Sequence, residues 1–179
     1  MNATIKEEYA IVLDYLPNGY PLDARPSHLK TSIVQAIGKD HFVLLELVPK
    51  RGINVTIHEE VYMGDGKREK IHHISGKIPL DRLTRTAAYE LEIVIKELVV
   101  KHEKRFVDFF NNAQPINARR HQLELLPGIG KKHMWEVLEK RDEKKFEIFE
   151  DIKKRLRLMP DPEKAVIKRI LAELEEKDK

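Results

Sequence analysis

Leu126-Pro127-Gly128-Ile129-Gly130-Lys131-Lys132 stands between two amphipathic segments and decides how the last third of the chain is read. Before it, Leu123, Leu125 and Leu126 close a helix expected at 117–126, with Asn117 as its cap. After it, Met134, Trp135 and Leu138 recur at helical spacing. Pro127 ends the first helix, because it lacks an N–H and restricts the residue before it. Gly128 and Gly130 are both free to take positive φ and to bring bare backbone close to a ligand. Ile129 anchors the turn. The second helix then begins with free N–H groups and its positive dipole end facing outward, which is a ready place for a phosphate. Lys131 and Lys132 add charge there, and a glycine turn with no ligand is the alternative.

Two short helices joined by Pro-Gly-Ile-Gly resemble the helix-hairpin-helix motif of nucleic-acid-binding proteins. Further helices are expected at 131–141, 143–158 and 162–176, the last with Asp161 as cap and Pro162 at its first position. Met159-Pro160-Asp161-Pro162-Glu163-Lys164 echoes Leu126-Pro127-Gly128-Ile129-Gly130-Lys131. This second unit has no glycine and two acids, so it should pack well and bind phosphate poorly.

The charge pattern agrees. The chain of 179 residues has a net charge of +3. Residues 1–117 carry 16 Lys+Arg against 16 Asp+Glu, whereas 118–172 carry 15 against 10. The basic excess coincides with the glycine turn, as a footprint on a polyanion should. Arg119, Arg120 and Lys140 can extend the contact. A solvated surface with a chance imbalance is the bland alternative.

The first half reads as β. Residues 8–16 form a strand rich in β-branched and aromatic residues, and two apolar runs, 32–37 and 42–48, flank the hairpin signal Gly38-Lys39-Asp40. Residues 53–61 alternate apolar and polar, which predicts a half-buried antiparallel strand, and 70–75 predicts a fifth. Five strands in meander order suggest a small barrel of OB-like type; a small open sheet backed by a helix competes. Tyr15, Tyr20, Phe42 and Tyr62 are candidate base-stacking rings, with Lys67, Arg68 and Lys70 beside the Gly64-Asp65-Gly66 turn as a second basic surface. For each ring, burial in the core is the commoner fate. From 84 to 102 the period becomes helical, and Asn111-Asn112-Ala113-Gln114-Pro115 is the expected boundary.

Several chemistries lack their residues. The chain has no cysteine, so disulfides and thiolate metal sites are excluded, in keeping with a reducing cytoplasm. No run of 18 uncharged apolar residues and no secretory signal is present. His72-His73 is the one histidine pair, and in a regular strand its rings point to opposite faces and cannot chelate. No Walker loop, Rossmann pattern or nucleophile elbow occurs. DNA glycosylases also follow a helix-hairpin-helix with a catalytic aspartate, and Asp151 has that spacing from Gly130; its charged helical setting argues against the role.

The order of parts resembles an uncharacterised archaeal family of predicted RNA-binding proteins, with Leu123 to Leu138 as its sharpest part. The resemblance implies an OB-like fold and nucleic-acid binding. The expected fold is α+β: a small antiparallel OB-like β-barrel at 1–82, a linking helical segment at 83–115, and an all-α helix-hairpin-helix pair at 116–179. The expected function is non-enzymatic, cytoplasmic nucleic-acid binding, RNA ahead of DNA, with no catalytic residue, metal or cofactor. The contacts come from Gly128, Ile129, Gly130, Lys131, Lys132, Arg119, Arg120 and Lys140, and a second surface from Lys67, Arg68, Lys70 and Tyr62. A protein-interaction adaptor is the alternative, and a DNA-binding or repair factor the more distant one.

Overall fold

The computed structural model describes residues 6–176 and is α+β. Five antiparallel strands form one curled sheet: β1 (Tyr9–Leu16), β2 (Ile33–Gly38), β3 (Leu44–Pro49), β4 (Glu60–Tyr62) and β5 (Ile71–Lys77). Their spatial order is β4-β1-β2-β3-β5. The expected meander is therefore broken at β4, which pairs with β1 across the sheet. β2 lies at the centre and is buried at all six positions. Bulges in β1 and between β3 and β5 curl the sheet into a half-barrel. Val12, Val34, Ala36, Leu45, Leu47, Val61 and Ile71 fill its inner face.

The β2–β3 turn forms where Gly38-Lys39-Asp40 places it. The carboxylate of Glu7 accepts the N–H groups of Asp40 (3.0 Å) and His41 (2.6 Å). A side chain at position 38 would begin 2.1 Å from that carboxylate, so any residue but glycine would displace Glu7 from the turn. On the other face of the sheet, a buried network pins the start of α1 (Arg85–Lys101). Gln35 is fully buried. Its amide donates to Arg82 O (3.0 Å) and the Tyr20 hydroxyl (3.2 Å) and accepts from Thr84 N (2.9 Å). Thr84 Oγ1 in turn donates to Asp14 (2.6 Å) and caps the helix at Ala87 N (3.0 Å).

The alternation at 53–61 does not make a strand. Glu59 N donates to Thr56 O, and His58 takes φ +73°, so the chain turns where the pattern predicts extension. Ile57 is left 39% exposed, and regular pairing begins only at Glu60.

Two compact units result: residues 6–94 with 174–176, and Ile95–Glu173. The division falls inside α1, and the polar stretch 111–115 lies within the second unit. That unit holds α2 (Glu103–Asn112), a two-stranded ribbon of β6 (Pro115–Asn117) and β7 (Arg120–His121), α3 (Lys131–Glu143), α4 (Phe149–Arg155) and most of α5 (Pro162–Glu176).

Two helix expectations fail here. Residues 117–126 form the ribbon and one 3-10 turn, Gln122–Leu125, in place of an α-helix. Asn117 caps no helix; its Oδ1 accepts the N–H groups of Arg119 and Arg120, both at 2.9 Å, and closes the ribbon turn. The expected helix at 143–158 shrinks to α4. The side-chain amide of Asn111 holds both the N–H and the C=O of Phe146 at 2.8 Å, and that clamp keeps residues 144–148 out of the helix. α3 and α5 lie where the sequence pattern puts them, and Asp161 Oδ1 caps α5 by accepting Lys164 N (3.2 Å).

Candidate nucleic-acid interface

The two glycines of the central turn do different work. Gly128 has φ +85°, and a Cβ there would lie 3.0 Å from Pro160 Cγ. Left-handed backbone and close packing both require glycine. Pro160 belongs to the stretch that echoes this one, so the two turns meet. Gly130 does not take the expected positive φ. It is extended (φ −98°, ψ −165°), and its missing Cβ would point into open space. Ile129 is buried, as expected of an anchor.

Gly130 is the N-cap of α3, with no side-chain cap and no acid in the first turn. Thr84 caps α1, Glu103 stands in the first turn of α2, Asp151 accepts Glu147 N and Ile148 N at α4, and Asp161 caps α5. α3 is thus the one α-helix among the described residues whose positive end meets neither cap nor carboxylate. Asp151, the residue at glycosylase spacing, is held at the start of α4, where the N–H of Glu147 and then that of Ile148 keep its carboxyl below the usual range.

The ribbon brings Arg119 and Arg120 beside this helix start. Lys131 fastens it there: its ammonium donates to Arg119 O and to Glu124 Oε2 (3.0 Å). Lys131 is therefore a tie within the protein, whereas the side chains of Lys132, Arg119 and Arg120 make no hydrogen bond or close ion pair among the described residues, and Arg120 only feels the charge of Glu124 at longer range. Glu124 is a tie as well. Its carboxylate accepts His121 N (2.7 Å), and that bond together with Lys131 holds it below the ordinary carboxylate range. His121 is buried, and its Nδ1 accepts Leu123 N (3.1 Å), which requires a neutral ring protonated on Nε2. Burial pushes its pKa down, and Arg141 and Lys131 push the same way.

Two clefts open along these elements. One, of about 700 Å³, is lined by Asn117, Ala118, Arg119, Arg120, Glu124 and Ile129. The other, of about 550 Å³, runs between the ribbon and α3, with Arg119, Arg120, Lys131, Trp135, Leu138 and Arg141 among its walls. The sequence pattern counts Trp135 in an apolar repeat, yet it is 65% exposed. Adjacent Met134 and, two residues on, Val137 face the core, so Trp135 is turned out by the helical twist. Its signal in the sequence is its place one step off the Met134–Val137 face. Arg141 is occupied, donating to Phe110 O and Ala113 O at the end of α2. Lys140 is not part of the cluster; it lies about 15 Å along α3 from Gly130 at the usual helical rise and pairs with Glu143 (3.4 Å).

The family model for a protein of unknown function, DUF655, matches residues 6–179. The chain belongs to this family. The uncharacterized protein MJ0038 of Methanocaldococcus jannaschii is 46% identical over 175 residues, 97% of this chain and 77% of that protein. The crystal structure of Af1531 from Archaeoglobus fulgidus, assigned to the DUF655 family model, is similar with a TM-score of 0.87 at 40% identity, covering 97% of this chain and 96% of that one. These relatives are archaeal, as the resemblance implied, and the half-barrel and helical parts are those of this DUF655 chain.

The second surface is largely internal bracing. The Tyr62 hydroxyl accepts Gly66 N (2.9 Å), and its ring packs on Gly64 and against Tyr9, with centroids 5.3 Å apart. Arg68 Nε donates to Gly64 O (2.8 Å), and Lys70 pairs with Glu59 (2.6 Å). Lys67 is exposed beside them. The other candidate rings are engaged too: Tyr15 donates to Asn54 Oδ1 (3.0 Å), Tyr20 to Glu46 (2.6 Å), and Phe42 is buried. The histidine pair departs from expectation. A bulge at His72 puts both rings on one side, with the Nδ1 atoms 2.8 Å apart. Among the described residues, no group of three His, Asp or Glu gathers as a metal site, and no helix is long and apolar enough to cross a membrane.

Proposed function

We propose that the unit Ile95–Glu173 binds nucleic acid through its backbone phosphates, without sequence preference and without catalysis, RNA ahead of DNA. One observation carries the reading: Arg119 and Arg120, whose side chains make no hydrogen bond or close ion pair among the described residues, line an open cleft of about 700 Å³ on the ribbon that Lys131 fastens to the uncapped start of α3. Cationic donors beside free helix amides are what a phosphate needs. The order of RNA and DNA rests on the resemblance to predicted RNA-binding proteins, and the turn stands in for a helix-hairpin-helix whose first helix is a single 3-10 turn. Under the same reading, the half-barrel is an OB-like partner domain.

The test uses Gly130→Asp and the pair Arg119→Gln/Arg120→Gln in the full chain. The extended backbone and open space at Gly130 accept aspartate, which would cap α3 and compensate its dipole, adding about 0.5–1 kcal/mol of stability. The same carboxylate stands where a phosphate would, so binding to duplex and to single-stranded RNA and DNA should fall as stability rises. The arginine pair should lower the slope of log affinity against log salt by about 0.7–0.9 for each phosphate that an arginine neutralises. Binding that ignores salt, or a Gly130→Asp protein that binds as well as before, would overturn the proposal; salt-insensitive capture of a protein would point to the adaptor instead.

A further inference from the structure

We infer that Trp135 is a stacking platform for an unpaired nucleobase, which makes single-stranded nucleic acid the ligand of the second unit. The inference rests on the phosphate reading above and goes beyond it by naming the kind of strand. Trp135 is 65% exposed, the largest side chain on the outer face of α3. Lys131 and Leu138, four residues before it and three after, share its face of the helix, and all three line the 550 Å³ cleft opposite the ribbon. That volume lies within the ordinary range of small-molecule clefts, about 300–1,000 Å³.

The cleft is also lined by Arg119 and Arg120, whose side chains make no hydrogen bond or close ion pair among the described residues. A flat apolar ring that shares a cleft with two cations free of close ion pairs matches a nucleotide: a π-face for the indole and a phosphate for the guanidinium groups. In a duplex the base faces are already stacked on their neighbours, so a side chain fixed on a helix reaches only a base that is unpaired. Stacking reads no base edge, which keeps the site tolerant of sequence.

The chain has a single tryptophan, so emission from the full-length protein reports this ring alone. Three probes of equal length are titrated: an oligoadenylate strand, an abasic strand with the same phosphates, and a duplex. The oligoadenylate should quench Trp135 emission. The abasic strand should bind about 5- to 150-fold more weakly, the range for one stacked base. With affinity read from the anisotropy of end-labelled strands, Trp135→Ala should bring oligoadenylate affinity down to the abasic level without changing the salt slope, and Trp135→Phe should recover part of the loss. Both substitutions are at an exposed position and should leave the far-UV spectrum unchanged. Equal affinity for oligoadenylate and abasic strands, with Trp135→Ala binding as well as the parent, overturns the stacking role while leaving the phosphate reading standing. Failure of all three probes to bind at low salt overturns both.

Discussion

Replacing Gly128 by alanine should cost far more than the same change two residues later, and the structure divides that cost into two parts. At φ +85° an L-residue pays a left-handed backbone penalty of about 1–2 kcal/mol. The new methyl would also begin 3.0 Å from Pro160 Cγ and 3.6 Å from its Cβ, so the two turns must part by a few tenths of an ångström. Overpacking of that kind adds about 1 kcal/mol or more. The sum is about 2–4 kcal/mol. At Gly130 the backbone is already extended and the space open, so alanine loses some N-cap preference and gains about as much from a less flexible unfolded chain. The net change should be within about 0.5 kcal/mol.

Urea unfolding followed by Trp135 emission and far-UV dichroism measures both substitutions. Pro160→Ala separates the parts: combined with Gly128→Ala, it should restore the packing share and leave the backbone share, a coupling of about 1 kcal/mol in a double-mutant cycle. Equal stability of the two glycine variants would refute the division of labour between Gly128 and Gly130. Strict additivity with Pro160→Ala would show that the turns do not press on each other at this point.

Two further outcomes follow from the polar networks. Gln35→Leu strips Thr84 N and Arg82 O of their buried partner and should destabilise the half-barrel unit by about 2–3 kcal/mol, read as a lower urea midpoint; an unchanged midpoint would mean that the network does not hold α1. The ribbon corner should weaken in acid: His121 has a folded pKa below its ordinary 6.5, so the unfolded chain binds more protons below that pH, and the stability from its neutral ring is present above 6.5 and lost as pH falls through the folded value. Glu124 should add a second loss below its ordinary 4.5, and His121→Asn, which caps without titrating, should abolish the first loss in a Trp135 emission profile.

What is legible in the chain is local. The apolar, β-branched runs of β1, β2 and β3, the helical stripes of α1 and α3, and the Asp161-Pro162 start of α5 announce themselves within a few residues. What fails depends on partners far along the chain or on a single backbone angle. Nothing near residue 146 says that Asn111 will clamp it, and the regular pattern at 53–61 does not reveal the positive φ of His58. The same limit governs the site. Lys131 and Lys132 are equivalent as text, but only Lys131 meets Glu124 and the carbonyl of Arg119. Trp135 counts as one more apolar residue until the rotation of α3 turns it outward.

The two echoing turns give a comparison inside one molecule. α5 and α3 both begin just after a proline turn, and the turns touch at Pro160 and Gly128. At α5 the helix start is closed by Asp161, whose carboxylate takes Lys164 N and pairs with Lys153 at 3.1 Å. At α3 that role falls to a glycine with open space in front of it, followed by two lysines that the helix dipole disfavours. Selection for stability alone would favour an acid at both starts. An anion from outside the chain would supply at α3 what Asp161 supplies at α5, and it would satisfy Arg119, Arg120 and Lys132 in the same stroke. Under the proposed phosphate-binding reading, the open turn would be the one that takes the ligand, and its closed counterpart the support on which it is built.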